Sequence, residues 1–127
     1  MMPEDRAVWT KFLDTDGHRI KRVWYDVKVG HGVFLPVGST DVDKRIAAGL
    51  TRKRIDCVCS VGGGFWVVEV KPRASMQAIG QVISYARLFT RDYKPAGEVW
   101  PVIVCDKYDQ DLLEEFDEFG ILVMQND

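Results

Sequence analysis

Charged residues interrupt two of the most apolar runs in the chain, and any fold must account for them. Asp56 sits within Arg54-Ile55-Asp56-Cys57-Val58-Cys59, and Glu69 and Lys71 sit within Phe65-Trp66-Val67-Val68-Glu69-Val70-Lys71. Both runs are rich in β-branched and aromatic residues and flank Gly62-Gly63-Gly64. They predict a β-hairpin, Arg54–Val61 with Phe65–Lys71. Strands this apolar are buried on much of both faces, where an ionised group is costly unless paired or metal-bound. Glu69 and Lys71 share a face because they are two apart. Asp56 joins them if the hairpin loop has an even length, such as Gly63-Gly64 or Gly62 to Phe65. One such register puts Asp56 opposite Lys71 with Glu69 on the diagonal, and a bulge would change the parity. Two readings follow. One is an Asp–Lys–Glu ion-pair cluster without metal. The other is an oxygen-rich site for Mg²⁺ or Mn²⁺, built from Asp56, Glu69 and the Val70 carbonyl.

The rest of the chain predicts a series of strands and helices around this hairpin. Val8–Leu13 and Arg19–Val29, separated by the turn signal Asp14-Thr15-Asp16-Gly17, predict an N-terminal β-hairpin. Gly30–Gly38 reads as a loop. Ser39, Thr40 or Asp41 is placed to cap a short helix reaching about Leu50. Ser75 is placed to cap a helix to about Phe89, with Ile79, Val82, Ile83, Ala86 and Phe89 as its core stripe. Gln77, Gln81 and Tyr85 form a second stripe on that helix. Val99–Cys105 predicts a strand whose Pro101 belongs at an early, edge or bulged position. Asp111–Phe119 predicts an amphipathic helix with Leu112, Leu113, Phe116 and Phe119 inward, followed by a Gly120 cap and a strand at Ile121–Met124. Hairpins imply antiparallel pairs, and the alternation of strand and helix in the second half implies parallel ones. The expected fold class is α/β (α+β), with a mixed central sheet flanked by helices. It forms a single domain over 1–127, with 1–38 as N-terminal hairpin and loop and 39–127 as core.

Composition narrows the functional classes. The 127 residues carry 17 basic and 19 acidic side chains, a formal net charge of -2, which excludes a uniformly basic coat for nucleic acid. The charge is nonetheless polarised. Asp106, Asp109, Asp111, Glu114, Glu115, Asp117 and Glu118 crowd the C-terminal part, while Lys44, Arg45, Arg52, Lys53 and Arg54 cluster ahead of the middle hairpin. No apolar run approaches the roughly 20 residues of a membrane span. The N-terminus lacks the basic-then-apolar pattern of a secretory signal, and the odd cysteine count of 3 suits reduced thiols in a cytoplasm. Cys57 and Cys59, with a distant Cys105, read as small core residues, since a structural zinc site needs four ligands. His18 and His31 read as loop or turn residues.

Asp56, the run Glu69-Val70-Lys71 and the run Gln81-Val82-Ile83-Ser84-Tyr85 together resemble the PD-(D/E)XK nuclease superfamily, most closely its small phage-encoded members. Asp56 matches the motif aspartate, Glu69 and Lys71 match the (D/E)XK pair, and Gln81 with Tyr85 match a QxxxY motif on the following helix. Ile55 stands where the motif has proline. The resemblance implies a restriction-endonuclease-like core, here with an added N-terminal β-hairpin, and a Mg²⁺- or Mn²⁺-dependent DNA endonuclease. Asp56, Glu69 and the Val70 carbonyl would then bind the metal, Lys71 would position the attacking water, and Gln81 would help place Lys71 or the scissile phosphate. The family usually adds an acid or histidine from an N-terminal helix, a role for which Asp43 is the choice from the short helix, with Asp41, Asp26, His18 and His31 as other options. Arg52, Lys53, Arg54, Arg73, Tyr85 and Arg87 are the expected DNA contacts. The resemblance places the protein in a host-cell cytoplasm, with DNA and a second copy of the chain as expected partners. The alternative is a structural component of a phage particle, for instance at the head–tail junction. There the fold is kept, catalysis is weak or lost, and the partners are other virion proteins.

Overall fold

The computed structural model describes every residue except Phe34, which lies in the predicted loop Gly30–Gly38. It is a single α+β domain whose five strands form one mixed sheet. The strands are β1 (Arg22–Val29), β2 (Lys53–Val61), β3 (Gly64–Ala74), β4 (Glu98–Tyr108) and β5 (Leu122–Gln125), arranged side by side in that order. The pairs β1–β2 and β2–β3 are antiparallel, and β3–β4 and β4–β5 are parallel. Helix α3 (Met76–Tyr93) makes the crossover from β3 to β4, and the short helix α4 (Leu113–Glu118) makes the one from β4 to β5. Helix α1 (Pro3–Asp16) precedes β1, and α2 (Asp41–Thr51) lies between β1 and β2.

The N-terminal hairpin is overturned. Val8–Leu13 lies inside α1, which packs on the opposite sheet face from α3. Pro3 stands in the first turn, where its missing N–H costs nothing, and Glu4 and Asp5 complement the helix dipole there. Asp5, Val8, Trp9 and Phe12 are the buried positions, at helical spacing. Packing against Cys57, Cys59, Trp66 and Val68 overrides the β preference of valine and tryptophan. Trp9 is therefore a core residue; its indole N–H donates to the Tyr25 hydroxyl at 2.9 Å. The predicted second arm survives as β1, but its partner is β2, so α1 and β1 belong to the core.

On the other face, Ile79, Val82, Ala86 and Phe89 of α3 are buried as their spacing predicts. Of the four inward residues predicted near α4, Leu112 and Phe116 are buried but Leu113 and Phe119 are half exposed. A 3₁₀ turn at Gln110–Leu112 shortens α4 and rotates those two outward. Pro101 lies in β4 opposite Val67, while pairing with β5 begins only at Val102. Its missing N–H thus falls where β4 has no fifth-strand neighbour.

A switch of faces occurs where β1 crosses β2. Tyr25 contacts Trp9 on the α1 side, yet Val27, two residues on, packs with the α3-side cluster. On β2, Cys57 belongs to the α1 side and Ile55 to the α3 side. Residues two apart should share a face, so both strands turn over together between these pairs. Asp26, at φ 51°, is the left-handed residue that turns β1, and Asp56 sits level with it on β2. Aspartate tolerates this conformation and β-branched residues do not. Asp26→Val is expected to lower stability by about 1–3 kcal/mol in urea unfolding while Asp26→Gly stays near the parent. Equal losses in both variants would mean that the backbone here carries no such constraint.

Candidate active site

The turnover at Asp56 brings the acids together. The hairpin loop is Gly62-Gly63, an even-length loop as parity requires, but the register is shifted by two residues from that with Asp56 opposite Lys71. The ladder runs from Val61↔Gly64 to Cys57↔Val68, so the next step places Asp56 level with Glu69. There the ladder stops, and the Asp56 side chain takes the place of backbone: its Oδ2 accepts from the Val70 N–H at 2.9 Å. In a strand the N–H and C=O of one residue point to the same side, so the Val70 carbonyl faces the same gap between β2 and β3.

Glu69 is 4% exposed, and its carboxyl lies within hydrogen-bonding reach of that of Asp56. Lys71 Nζ stands 3.6 Å from Glu69 Oε1. Glu69 Oε2 is buried with no hydrogen-bond partner. Burial, and then the neighbouring Asp56 charge, push the Glu69 carboxyl up to about 8, against the pull of Lys71. The nearby Lys71 thus offsets only part of the cost of burying this charge beside Asp56.

Two groups of α3 close the cluster on one side. Burial and the charges of Glu69 and Asp56 raise the Tyr85 hydroxyl, which places that ring beside both acids. One turn earlier on the same face, Gln81 has a buried side-chain oxygen, Oε1, without a hydrogen-bond partner. Gln77, a turn before that, is exposed.

The residue that sequence reasoning passed over is Asp5. It is 6% exposed in the first turn of α1, and its carboxyl is raised by burial and by Asp56 while Lys71 pulls it down. Helix α1 thus delivers a third acid to the neighbourhood of Asp56 and Lys71. The signal was in the sequence, because Asp5 heads the buried stripe continued by Val8, Trp9 and Phe12. Asp43 has a different place. It is exposed in the first turn of α2, its backbone N–H donates to the Thr40 hydroxyl at 3.0 Å, and no described contact links it to Asp56 or Glu69. Asp41 shares that exposed turn, and His18 lies exposed in a short 3₁₀ turn after α1.

The expected DNA-contacting cations divide into two groups. Lys53, Arg54 and Arg87 are exposed. Arg52 is engaged in the fold: its guanidinium donates to the Gly30 carbonyl at 2.7 Å and the Lys28 carbonyl at 3.2 Å. Arg73 pairs with Asp109 at the far end of β3.

Among the described residues, no three His, Cys, Asp or Glu side chains stand close enough to form a ligand set by themselves. Asp56 and Glu69 do fit a divalent cation as a pair. Both are carboxylates, one carries an orphaned buried oxygen, and a backbone carbonyl faces the same gap. All three cysteines are free and buried in the two cores. Among the described residues no helix is long and apolar enough to cross a membrane.

No family model matches the chain, and no curated protein does. Solved structures share its fold. A repair endonuclease from Pyrococcus abyssi superposes with a TM-score of 0.56 at 15% identity, over 98% of this chain and 48% of the other. EndoMS in its dsDNA2 complex superposes with a TM-score of 0.54 at 13% identity, over 100% of this chain and 47% of the other. A protein of unknown function, AF1548, gives 0.55 at 12% identity, over 94% of this chain and 56% of that one. The chain therefore spans about half the length of these structures and shares its fold with that part of each.

Proposed function

We propose that this protein is a divalent-cation-dependent phosphodiesterase acting on DNA, with its active site at Asp56, Glu69 and Lys71. The observation that carries this reading is the buried, unpartnered Oε2 of Glu69 beside Asp56, with a lysine as the adjacent cation. The fold shared with repair endonucleases supports it. In this reading Asp56, Glu69 and the Val70 carbonyl hold Mg²⁺ or Mn²⁺, which supplies Lewis acidity and positive charge. The Val70 N–H fixes Asp56, so one ligand is set before the cation arrives. Lys71, with Nζ 3.6 Å from Glu69 Oε1, orients the attacking water or meets the charge that develops on phosphate. Gln81 and Tyr85 face the same space from α3, where an amide oxygen and a hydroxyl can hold that water or a phosphate oxygen. Lys53, Arg54 and Arg87, all exposed, are free to give the DNA backbone its counter-charges. Asp5, and not Asp43, is the acid that an N-terminal helix brings near Asp56 and Lys71; the three acids do not form a ligand set by themselves, so Asp5 acts on the cation through its charge.

The test uses plasmid, linear duplex and single-stranded DNA with Mg²⁺, Mn²⁺ or EDTA. Cleavage with either cation and none with EDTA is expected, and no cleavage of any substrate with both cations would sink the reading. Asp5→Asn is expected to cut the rate about 10- to 100-fold and raise the cation concentration needed. Asp43→Asn should leave both near the parent; the reverse pattern would return the third acid to α2.

A further inference from the structure

Beyond the acids, the α3 side of the sheet carries a groove of about 610 Å³ that the phosphodiesterase chemistry does not use. It lies between β1 and the C-terminal half of α3, with Trp24, Phe65, Phe89 and Tyr93 in its walls. These rings form a chain. The Trp24 and Phe65 centroids are 6.3 Å apart, Phe65 and Phe89 6.0 Å, and Phe89 and Tyr93 5.1 Å in a stacked arrangement. Phe89 is buried and Phe65 partly so, but Trp24, with the Arg22 guanidinium 4.9 Å from its ring centroid, and Tyr93 remain 37% and 50% exposed at the open end. Aromatic faces left open in a concave site of this size are surface that a planar ligand would cover.

Two observations say which ligand. The first is charge. Lys28 and Arg52 stand in the groove's wall, and the acid nearest them, Asp92, is already paired with Arg52 at 3.9 Å and Arg91 at 2.9 Å. Asp26 is the acid of the lining itself; its side chain is exposed, and its Oδ1 lies 3.8 Å from the N-terminal ammonium. A ligand with a flat apolar face and a negative backbone suits this wall. The second is continuity. Gln81, Tyr85, Phe89 and Tyr93 recur every fourth residue and form one stripe along α3. The first two face the acids, and the last two wall the groove. From Gln81 to Phe89 the helix rises about 12 Å, a span that one strand of DNA covers in a few nucleotides.

We infer that this groove receives an unstacked nucleobase of the strand held at the catalytic acids, so that the protein prefers DNA with an unpaired nucleotide near the cut. The inference rests on the phosphodiesterase reading for its strand. Its physics is that of base–aromatic stacking, which tolerates any base because each has a π face. Extrusion of a base from a duplex costs least where the base has no partner, and the preference for unpaired DNA follows.

The experiment measures binding in EDTA, where cleavage plays no part. Two labelled duplexes are compared, one fully paired and one with a single unpaired 2-aminopurine nucleotide. The parent is expected to bind the unpaired form at least about tenfold more tightly and to change the 2-aminopurine emission. Trp24→Ala, at an exposed position, should weaken binding of that form about 10- to 100-fold and leave the paired duplex within about twofold. Equal affinity for the two duplexes, or equal loss on both in Trp24→Ala, overturns the proposal. A parallel cleavage assay with Mn²⁺ separates the two ideas. Equal cleavage of both duplexes retains the phosphodiesterase and removes the base site. Selective binding without cleavage retains the base site and removes the phosphodiesterase.

Discussion

Lys71→Ala and Glu69→Ala are each expected to lower DNA cleavage by about 10³-fold or more, with duplex binding changed far less. The two losses have different origins. Lys71 is the cation that the buried acids face, and it is partly open to solvent, so it can reach a substrate while keeping its contact with Glu69. Without it the developing charge on phosphate and the attacking water both lose their organiser. Glu69 is the acid whose second oxygen has no partner, so its removal takes away the open ligand position itself. Lys71→Arg should recover only part of the activity, because a planar guanidinium cannot stand in for a compact ammonium at a crowded acid pair. The double variant should be about as slow as either single one, since groups acting as a unit do not add. Circular dichroism at each substitution checks that the sheet persists. Activity within tenfold of the parent in either single variant would place the chemistry elsewhere.

How far the sequence carried this site depends on which physical signal each residue left. The middle hairpin was legible because charge inside apolar strands is expensive, and the cost marks Asp56, Glu69 and Lys71 directly. Helix α2 was legible through its cap, with the Thr40 hydroxyl accepting from Asp43 N–H. Helix α1 was misread because Val8, Trp9 and Phe12 carry β preference, and the residue that completes their helical stripe is itself an acid. A buried aspartate looks like a break in an apolar pattern, so the position that mattered concealed the period. The turnover at Asp26 and Asp56 left no local signal at all. It arises from two strands about 30 residues apart in sequence, each permitting the other to switch faces. Parity alone therefore predicted an even loop, while the register lies two residues from the one with Asp56 opposite Lys71. Leu113 and Phe119 failed for a related reason, since a 3₁₀ turn changes the helical phase without changing composition.

Without metal, the same acids should destabilise the fold, and the pH dependence gives the sign. The Glu69 carboxyl, at about 8 in the fold against 4.5 when free, binds its proton more tightly folded than unfolded. Between those two values the folded chain holds a proton that the unfolded chain has released, so stability falls as pH rises through the window. At about 1.4 kcal/mol per pH unit, the accumulated loss above pH 8 is on the order of 5 kcal/mol. Glu69→Gln has the same shape and cannot ionise. In EDTA it is expected to be more stable than the parent at pH 9 by an amount approaching that figure, and nearly equal to it at pH 4 to 5, as read by urea midpoints. Loss of the Lys71 contact works against the variant, so the gain measures the buried charge net of its ion pair. Mg²⁺ should then raise the midpoint of the parent at pH 9 and leave Glu69→Gln almost unmoved, because one protein has a carboxylate to neutralise and the other has none. A variant that is less stable than the parent across the whole range would mean that Lys71 already compensates Glu69 fully. The unpartnered oxygen would then be no mark of a cation site.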